Sequence, residues 1–115
     1  MLKHTISFRN AFVGIWTAIT SQANVRIHVL VGSLVLFLAT YVELPLAEIL
    51  VLILTIALVI LAEMVNTSIE FLADSVTLEH REYIKHTKDV AAGAVLLTVI
   101  FAICIGLIVF VPKFL

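Results

Sequence analysis

An uninterrupted charge-free segment runs from residue 90 to residue 111 and constrains the fold of this chain more than any other feature. At about 1.5 Å per helical residue, the segment spans roughly 33 Å, which is enough to cross the hydrocarbon core of a bilayer. Hydrophobic residues make up 63% of the 115-residue chain and charged residues 13%, a composition far from that of a soluble domain. We therefore expect an all-α membrane protein in which residues 1–115 form a single domain.

The chain is predicted to cross the membrane three times. The expected spans are residues 27–43, 45–72 and 88–111. The second span carries Pro45 in its first turn, where a helix tolerates proline. Its charge-free part, residues 49–62, is too short to cross a bilayer alone, so Glu63 is expected at or just inside the membrane interface.

A further helix is predicted ahead of these spans, over about residues 5–24. Large apolar residues recur there at helical spacing, namely Phe8, Phe12, Ile15, Trp16 and Ile19. Polar residues occupy the opposite face, so the pattern favours an amphipathic helix that lies in the membrane interface. A helix that packs on the bundle without a lipid role is the alternative interpretation.

Basic residues predict the orientation of the chain in the membrane. They precede the first span at Lys3, Arg9 and Arg26, and they recur in a polar connection over residues 74–89 at Arg81, Lys85 and Lys88. The positive-inside rule places both regions in the cytoplasm. The N-terminus is therefore expected inside and the C-terminus, with Lys113, outside.

A stripe of polar residues marks the end of the second span. Glu63, Asn66, Glu70 and Asp74 follow one another at offsets of three, four and four residues, so they share one face of a helix. Carboxylates that enter a bilayer are costly and usually functional. We therefore take this acidic stripe as the candidate site.

Four interpretations of the acidic stripe are open from the residues alone. A small proton-coupled transporter would use such carboxylates as a relay, although the middle of every span is almost purely apolar. Hydrogen bonding between helices is a structural alternative. A zinc site is disfavoured because His4, His28, His80 and His86 lack paired ligand spacing.

Phosphoryl transfer is the fourth interpretation of the stripe. Carboxylates that hold Mg²⁺, an Asn, and a Lys that neutralises phosphate charge are the groups this chemistry requires. Lys88, with Asp89 beside it, supplies the cation at the edge of the third span. Nucleic acid is not an expected partner, because the net charge is −1 and the chain has no basic block.

Two linked motifs resemble a known family. They are Glu63-x-x-Asn66-Thr67-Ser68-Ile69-Glu70-x-x-x-Asp74 and Lys88-Asp89-Val90-Ala91-Ala92-Gly93-Ala94-Val95. Together they resemble the small bacterial membrane kinases that phosphorylate diacylglycerol or undecaprenol, over nearly the whole chain. The resemblance implies a multi-pass protein of the bacterial plasma membrane, a homotrimer with active sites shared between subunits, ATP as donor, Mg²⁺ as cofactor, and a lipid alcohol as acceptor.

The resemblance also assigns roles to residues. Glu63 matches the general base for the lipid hydroxyl, Glu70 matches a metal ligand, and Asn66 and Lys88 match groups on the triphosphate. Positions around the nucleotide are matched by Asp74, Glu79 and Asp89. In the mechanism this implies, the N-terminal helix borders the lipid entrance with Phe12 and Trp16, although interfacial aromatic residues often serve as anchors alone.

Gln22 departs from the family pattern. The family has a second metal carboxylate at this position, whereas Gln offers one neutral carbonyl oxygen, so Mg²⁺ binding is expected to weaken. An engineered substitution, a tolerated natural variant and a catalytically impaired homologue all account for Gln22. The adjacent segment Asn24-Val25-Arg26-Ile27-His28 resembles the corresponding segment in the Gram-positive branch of this kinase family. Members of that branch prefer undecaprenol, so the resemblance favours undecaprenol as the substrate.

Overall fold

The structure is a computed structural model that describes residues 7–115. Within this range the chain forms four α-helices, which are α1 (Phe8–Ser21), α2 (Ala23–Tyr41), α3 (Leu46–Val76) and α4 (Glu82–Phe114). This confirms the predicted all-α class. Two predictions concern residues outside this range. They are the start of the first helix at about residue 5 and the contribution of Lys3 to the orientation.

Three of the helices in the described part of the chain, α2, α3 and α4, are long and apolar enough to cross a membrane. The number of candidate spans is thus the predicted one. Helix α3 packs against each of the other helices, while α1 lies against both α2 and α3. The helix that carries the acidic stripe is thus the centre of the fold.

The chain bends between α1 and α2 at Gln22. Helix α1 begins with Ser7, whose hydroxyl oxygen accepts a hydrogen bond from the Asn10 backbone N–H at 3.2 Å, and such a cap stabilises a helix by about 1 kcal/mol. Gln22 has an extended backbone, with φ −121° and ψ 113°, and ends α1. Helix α2 follows directly after Gln22 and begins at Ala23, four residues before the predicted start of the first span at residue 27. Gln22 therefore lies at the bend itself.

A tight turn without glycine joins α2 to α3. Glu43 adopts a left-handed backbone with φ 57°. The Glu43 N–H donates to the Thr40 carbonyl at 3.1 Å, and the Leu44 N–H donates to the Ala39 carbonyl at 3.0 Å. This pair of bonds is a Schellman motif, which satisfies the last carbonyls of α2 and turns the chain back on itself.

A cluster of buried apolar residues lies next to this turn and consists of Ala39, Leu44 and Leu52. Farther along the α2–α3 contact, Gly32 is buried against Ile56. An ideal Cβ on Gly32 would lie 2.6 Å from Ile56 Cγ2, which is closer than real Cβ contacts. The missing side chain therefore sets how closely α2 and α3 approach, as small residues commonly do between membrane helices.

The polar segment over residues 74–89 is mostly helical. Helix α3 continues to Val76 and α4 starts at Glu82, so that the non-helical connection covers residues 77–81 alone. An ion pair one turn apart supports the early start of α4, with Lys85 Nζ 2.6 Å from Asp89 Oδ2. Such pairs stabilise exposed helices by a few tenths of a kcal/mol, and α4 thus extends beyond the predicted span of 88–111.

Candidate functional site

The acidic stripe lies on α3 and becomes more exposed toward the C-terminal end of the helix. Glu63 is 4% exposed, Asn66 and Glu70 are half-buried, and the Asp74 side chain is 45% exposed. Seven residues of helix separate Glu63 from Glu70, which corresponds to about 10 Å. The stripe therefore offers a buried carboxylate and a more accessible one at separate depths.

Thr67 is buried beside Glu63, although the sequence reasoning did not select it. Its hydroxyl donates a hydrogen bond to the Glu63 backbone carbonyl at 2.9 Å. This internal bond satisfies the hydroxyl without the Glu63 carboxylate, so that carboxylate stays available to another donor. The spacing of four residues was the signal that could have drawn attention to Thr67.

Asn66 and Glu70 are joined directly. Asn66 Nδ2 donates a hydrogen bond to Glu70 Oε2 at 3.1 Å. The other end of the amide, Asn66 Oδ1, is buried and accepts no hydrogen bond from any described residue. A buried amide oxygen without a donor is costly, so Asn66 Oδ1 is suited to accept a hydrogen bond from a ligand.

Asn66 also borders a groove between α3 and α4. The groove has a volume of about 750 Å³ and a mostly apolar lining. At the start of α4 it is bordered by Tyr83 and His86, whose rings meet edge to face with centroids 6.5 Å apart. Asn66 therefore lies next to a space that apolar chains can occupy.

Lys88 connects α4 to the acidic stripe. Its ammonium group lies 2.6 Å from Asp74 Oδ1, across the α3–α4 packing. Both side chains are more than one-third exposed, so the pair stabilises the fold by about 1 kcal/mol or less. The contact brings the predicted phosphate-binding cation to the predicted nucleotide end of the stripe.

Two further candidate residues share a cleft with Lys88. Glu79 and Asp89 line a polar cleft of about 280 Å³ beside the α3–α4 connection. Glu79 pairs with Arg81 at 3.3 Å, and Asp89 pairs with Lys85 at 2.6 Å. The cleft thus combines both signs of charge in a water-accessible position.

Gln22 lies at the α1–α2 bend, and within residues 7–115 its side chain makes no hydrogen bond to Glu70 or to any other residue. No group of three His, Cys, Asp or Glu side chains in this range is arranged to hold a metal ion. Mg²⁺ often binds through one or two carboxylates together with phosphate oxygens and water. Glu70 would fit that mode if a nucleotide supplied the remaining ligands.

Phe12 and Trp16 stand on the outer side of α1. Their exposed fractions are 69% and 67%, which suits a helix face that meets lipid. They lie apart from the α3–α4 groove, whose lining contains neither residue. The interfacial location of α1 itself stays a prediction.

The chain is similar to a family of known proteins. Residues 9–110 match the model of the prokaryotic diacylglycerol kinase family. A diacylglycerol kinase from Synechocystis sp. is 39% identical over 111 residues, which are 96% of this chain and 63% of that protein. An undecaprenol kinase from Bacillus subtilis is 36% identical over 107 residues, which are 93% of this chain and 87% of that protein. The chain thus spans less than two-thirds of the Synechocystis protein.

Proposed function

The chain belongs to the prokaryotic diacylglycerol kinase family, and we propose that it is a lipid kinase that transfers the γ-phosphoryl group of ATP to the hydroxyl of a membrane lipid. The acidic stripe is the observation that carries this proposal. It runs from a buried carboxylate at Glu63 to the exposed Lys88–Asp74 pair. A lipid hydroxyl and a water-soluble nucleotide need such a site, with one end in the membrane and one end in water.

Glu63 is the proposed general base. It accepts the proton of the lipid hydroxyl while the hydroxyl oxygen forms a bond to the γ-phosphorus. The bond from that phosphorus to the β,γ-bridging oxygen breaks, and ADP leaves. The burial of Glu63 supports this role, because a base must reach a hydroxyl that stays at the membrane interface.

Asn66, Glu70 and Lys88 are the proposed phosphate-binding residues. Lys88 neutralises phosphate charge, and the Asn66 amide, held by Glu70 at 3.1 Å, orients the phosphates or the acceptor hydroxyl. Glu70 and the carbonyl oxygen of Gln22 would hold Mg²⁺ together with phosphate oxygens. When bound, Mg²⁺ neutralises the charge that develops on the transferring group.

Asp74, Glu79 and Asp89 are proposed to surround the nucleotide. Each is exposed and paired with a cation, so each can exchange its partner without a large cost in stability. The polar cleft that contains Glu79, Lys88 and Asp89 is the proposed position of the nucleotide.

Undecaprenol is the proposed acceptor, with diacylglycerol as the alternative. The segment over residues 24–28 supports undecaprenol through its resemblance to the Gram-positive branch. One relative named above is an undecaprenol kinase and the other a diacylglycerol kinase. Phe12 and Trp16 are proposed to border the lipid entrance.

The protein is further proposed to lie in the bacterial plasma membrane as a homotrimer. Basic residues support an N-terminus inside and a C-terminus outside, which gives the polar cleft access to cytoplasmic ATP. Large apolar side chains stand exposed along α3 at spacings of three and four residues, namely Leu54, Leu58, Leu61 and Val65, and the last three line the α3–α4 groove. Such a row suits packing against another helix, and this supports sites shared between subunits.

A phosphorylation assay tests the proposal. Purified protein in nanodiscs receives labelled ATP, Mg²⁺ and either undecaprenol or diacylglycerol, and the expected product is a labelled lipid phosphate. The same assay on the Gln22→Glu variant separates an impaired homologue from an active enzyme. Absence of product with either lipid in both proteins would overturn the proposal, and proton flux in proteoliposomes without ATP would favour a transporter.

A further inference from the structure

The break between α1 and α2 leaves backbone carbonyls at the end of α1 without their helical donors. In a continuous helix, the carbonyls of Ile19 and Thr20 would accept hydrogen bonds from the N–H groups of residues 23 and 24. The extended backbone of Gln22 prevents this. Since carbonyls at a helix end need other partners, something else must satisfy them in the bent form.

Arg26 supplies the missing donors. Its Nη1 lies 2.7 Å from the Ile19 carbonyl oxygen and 3.1 Å from the Thr20 carbonyl oxygen. The Arg26 backbone N–H donates to the Gln22 carbonyl at 3.4 Å. Arg26 therefore contacts the chain on both sides of the bend, and its guanidinium bonds form only when the helix is broken.

The charge of Arg26 matches the end of α1 rather than the start of α2. A cation is unfavourable near a helix N-terminus and favourable near a C-terminus. The first turn of α2 holds no acidic residue that would compensate Arg26, and the last turn of α1 holds no basic residue of its own. The guanidinium thus provides the cation that the C-terminus of α1 lacks.

We propose that Arg26 is a positioning residue that stabilises the bent form of the α1–α2 junction over a continuous helix. By holding the bend, Arg26 keeps Gln22 extended and keeps α1 packed across α2 and α3. The effect of Arg26 on activity rests on the proposed function, in which Gln22 contributes to the magnesium and nucleotide site. The effect of Arg26 on the shape of the junction does not depend on that function.

Distance measurement between two spin labels tests the shape directly. Cysteines are introduced at Ala11 and Leu34, both exposed, after Cys104→Ser removes the native thiol, and labelled chains are diluted with unlabelled ones. A continuous helix would separate these positions by about 35 Å. We expect a narrow distribution at a clearly shorter distance in the parent protein and a broader one, extending toward about 35 Å, in Arg26→Met.

Further variants show whether the charge of Arg26 or only its size holds the bend. Arg9→Met removes an exposed arginine from α1 and should leave the distribution unchanged, while Arg26→Lys should keep most of the short distance. Arg26→Gln replaces the long charged guanidinium with a shorter neutral amide, so it should also broaden the distribution. It is the variant to measure if Arg26→Met does not fold. Distributions in Arg26→Met or Arg26→Gln that match the parent would overturn the proposal.

Activity gives the second measurement. In Arg26→Met, which loses both guanidinium hydrogen bonds, the Mg²⁺ concentration for half-maximal lipid phosphorylation should rise about tenfold or more. Arg26→Lys should restore most of the Mg²⁺ affinity. If Arg26→Met broadens the distance distribution but leaves the Mg²⁺ dependence unchanged, Arg26 does not act on magnesium binding through Gln22. If the parent protein phosphorylates no lipid, the proposed function fails, whereas the distances still decide the role of Arg26.

Discussion

Lys88 of α4 and Asp74 of α3 form an ion pair of 2.6 Å that fastens the start of the last helix to the end of the acidic stripe. The two residues are 14 positions apart in the chain. Because the pair is partly exposed, it contributes about 1 kcal/mol or less to stability. Its main consequence is positional, since it sets where the proposed phosphate-binding ammonium group stands.

Replacing Lys88 should therefore damage activity more than stability. We expect Lys88→Met to lower kcat/KM for ATP by roughly 10²-fold, as the loss of a group that stabilises transition-state charge commonly does. Asp74→Asn should cost less than Lys88→Met, because the ammonium group remains. Lys113→Met, at the opposite end of α4, is the control, and steady-state kinetics with normal kcat/KM in Lys88→Met would contradict the proposal.

Glu63→Gln tests the general base. The substitution keeps size and removes the proton-accepting carboxylate, so turnover should fall by roughly 10²-fold or more, with little change in the KM for ATP. Glu48→Gln, on the same helix but in its first turn, should retain normal turnover. Equal turnover in both variants would reduce Glu63 to a packing role.

Gln22→Glu tests the magnesium site. A second carboxylate should lower the Mg²⁺ concentration for half-maximal activity by about tenfold, because Mg²⁺ prefers charged oxygen ligands. Asn24→Asp adds the same charge two residues later and should produce a smaller change. Titration of activity with Mg²⁺ makes the comparison, and equal shifts in the two variants would indicate a general charge effect rather than a ligand at position 22.

Gly32→Ala tests the close approach of α2 and α3. The new methyl group would overlap Ile56 Cγ2, and overpacking of this kind usually costs about 1–3 kcal/mol. Gly106→Ala is the matched control, because an ideal Cβ there meets no described atom within 4 Å. The free energy of unfolding in mixed micelles should fall in the first variant alone, and a fall of equal size in both would contradict this reason for Gly32.

Several features of the site could be predicted from the amino-acid sequence. The offsets of Glu63, Asn66 and Glu70 are enough to place them on one face once a helix is assigned, and the structure has a helix there. The contact from Asn66 to Glu70 follows from a separation of four residues. Family membership also followed from the two motifs and is confirmed.

Other features of the fold and the site could not be predicted from the sequence. Glu43 adopts a left-handed backbone at a position where glycine would be the usual signal. The position of the α2–α3 turn was therefore predictable from the expected spans, but its backbone conformation was not. The pairing of Arg26 with Ile19 and Thr20 depends on a bend that helical periodicity does not reveal. The expected meeting of Gln22 and Glu70 at a metal stays a prediction.

The sequence by itself determined three helices long and apolar enough to cross a membrane and the order of the polar residues along α3. It could do so because a bilayer requires long apolar segments whose backbone groups are satisfied within each helix. Tertiary structure decided which polar groups meet between elements, including Lys88 with Asp74 and Arg26 with the end of α1. Such contacts depend on where helices end and how closely they pack, and residues far apart in the chain set both.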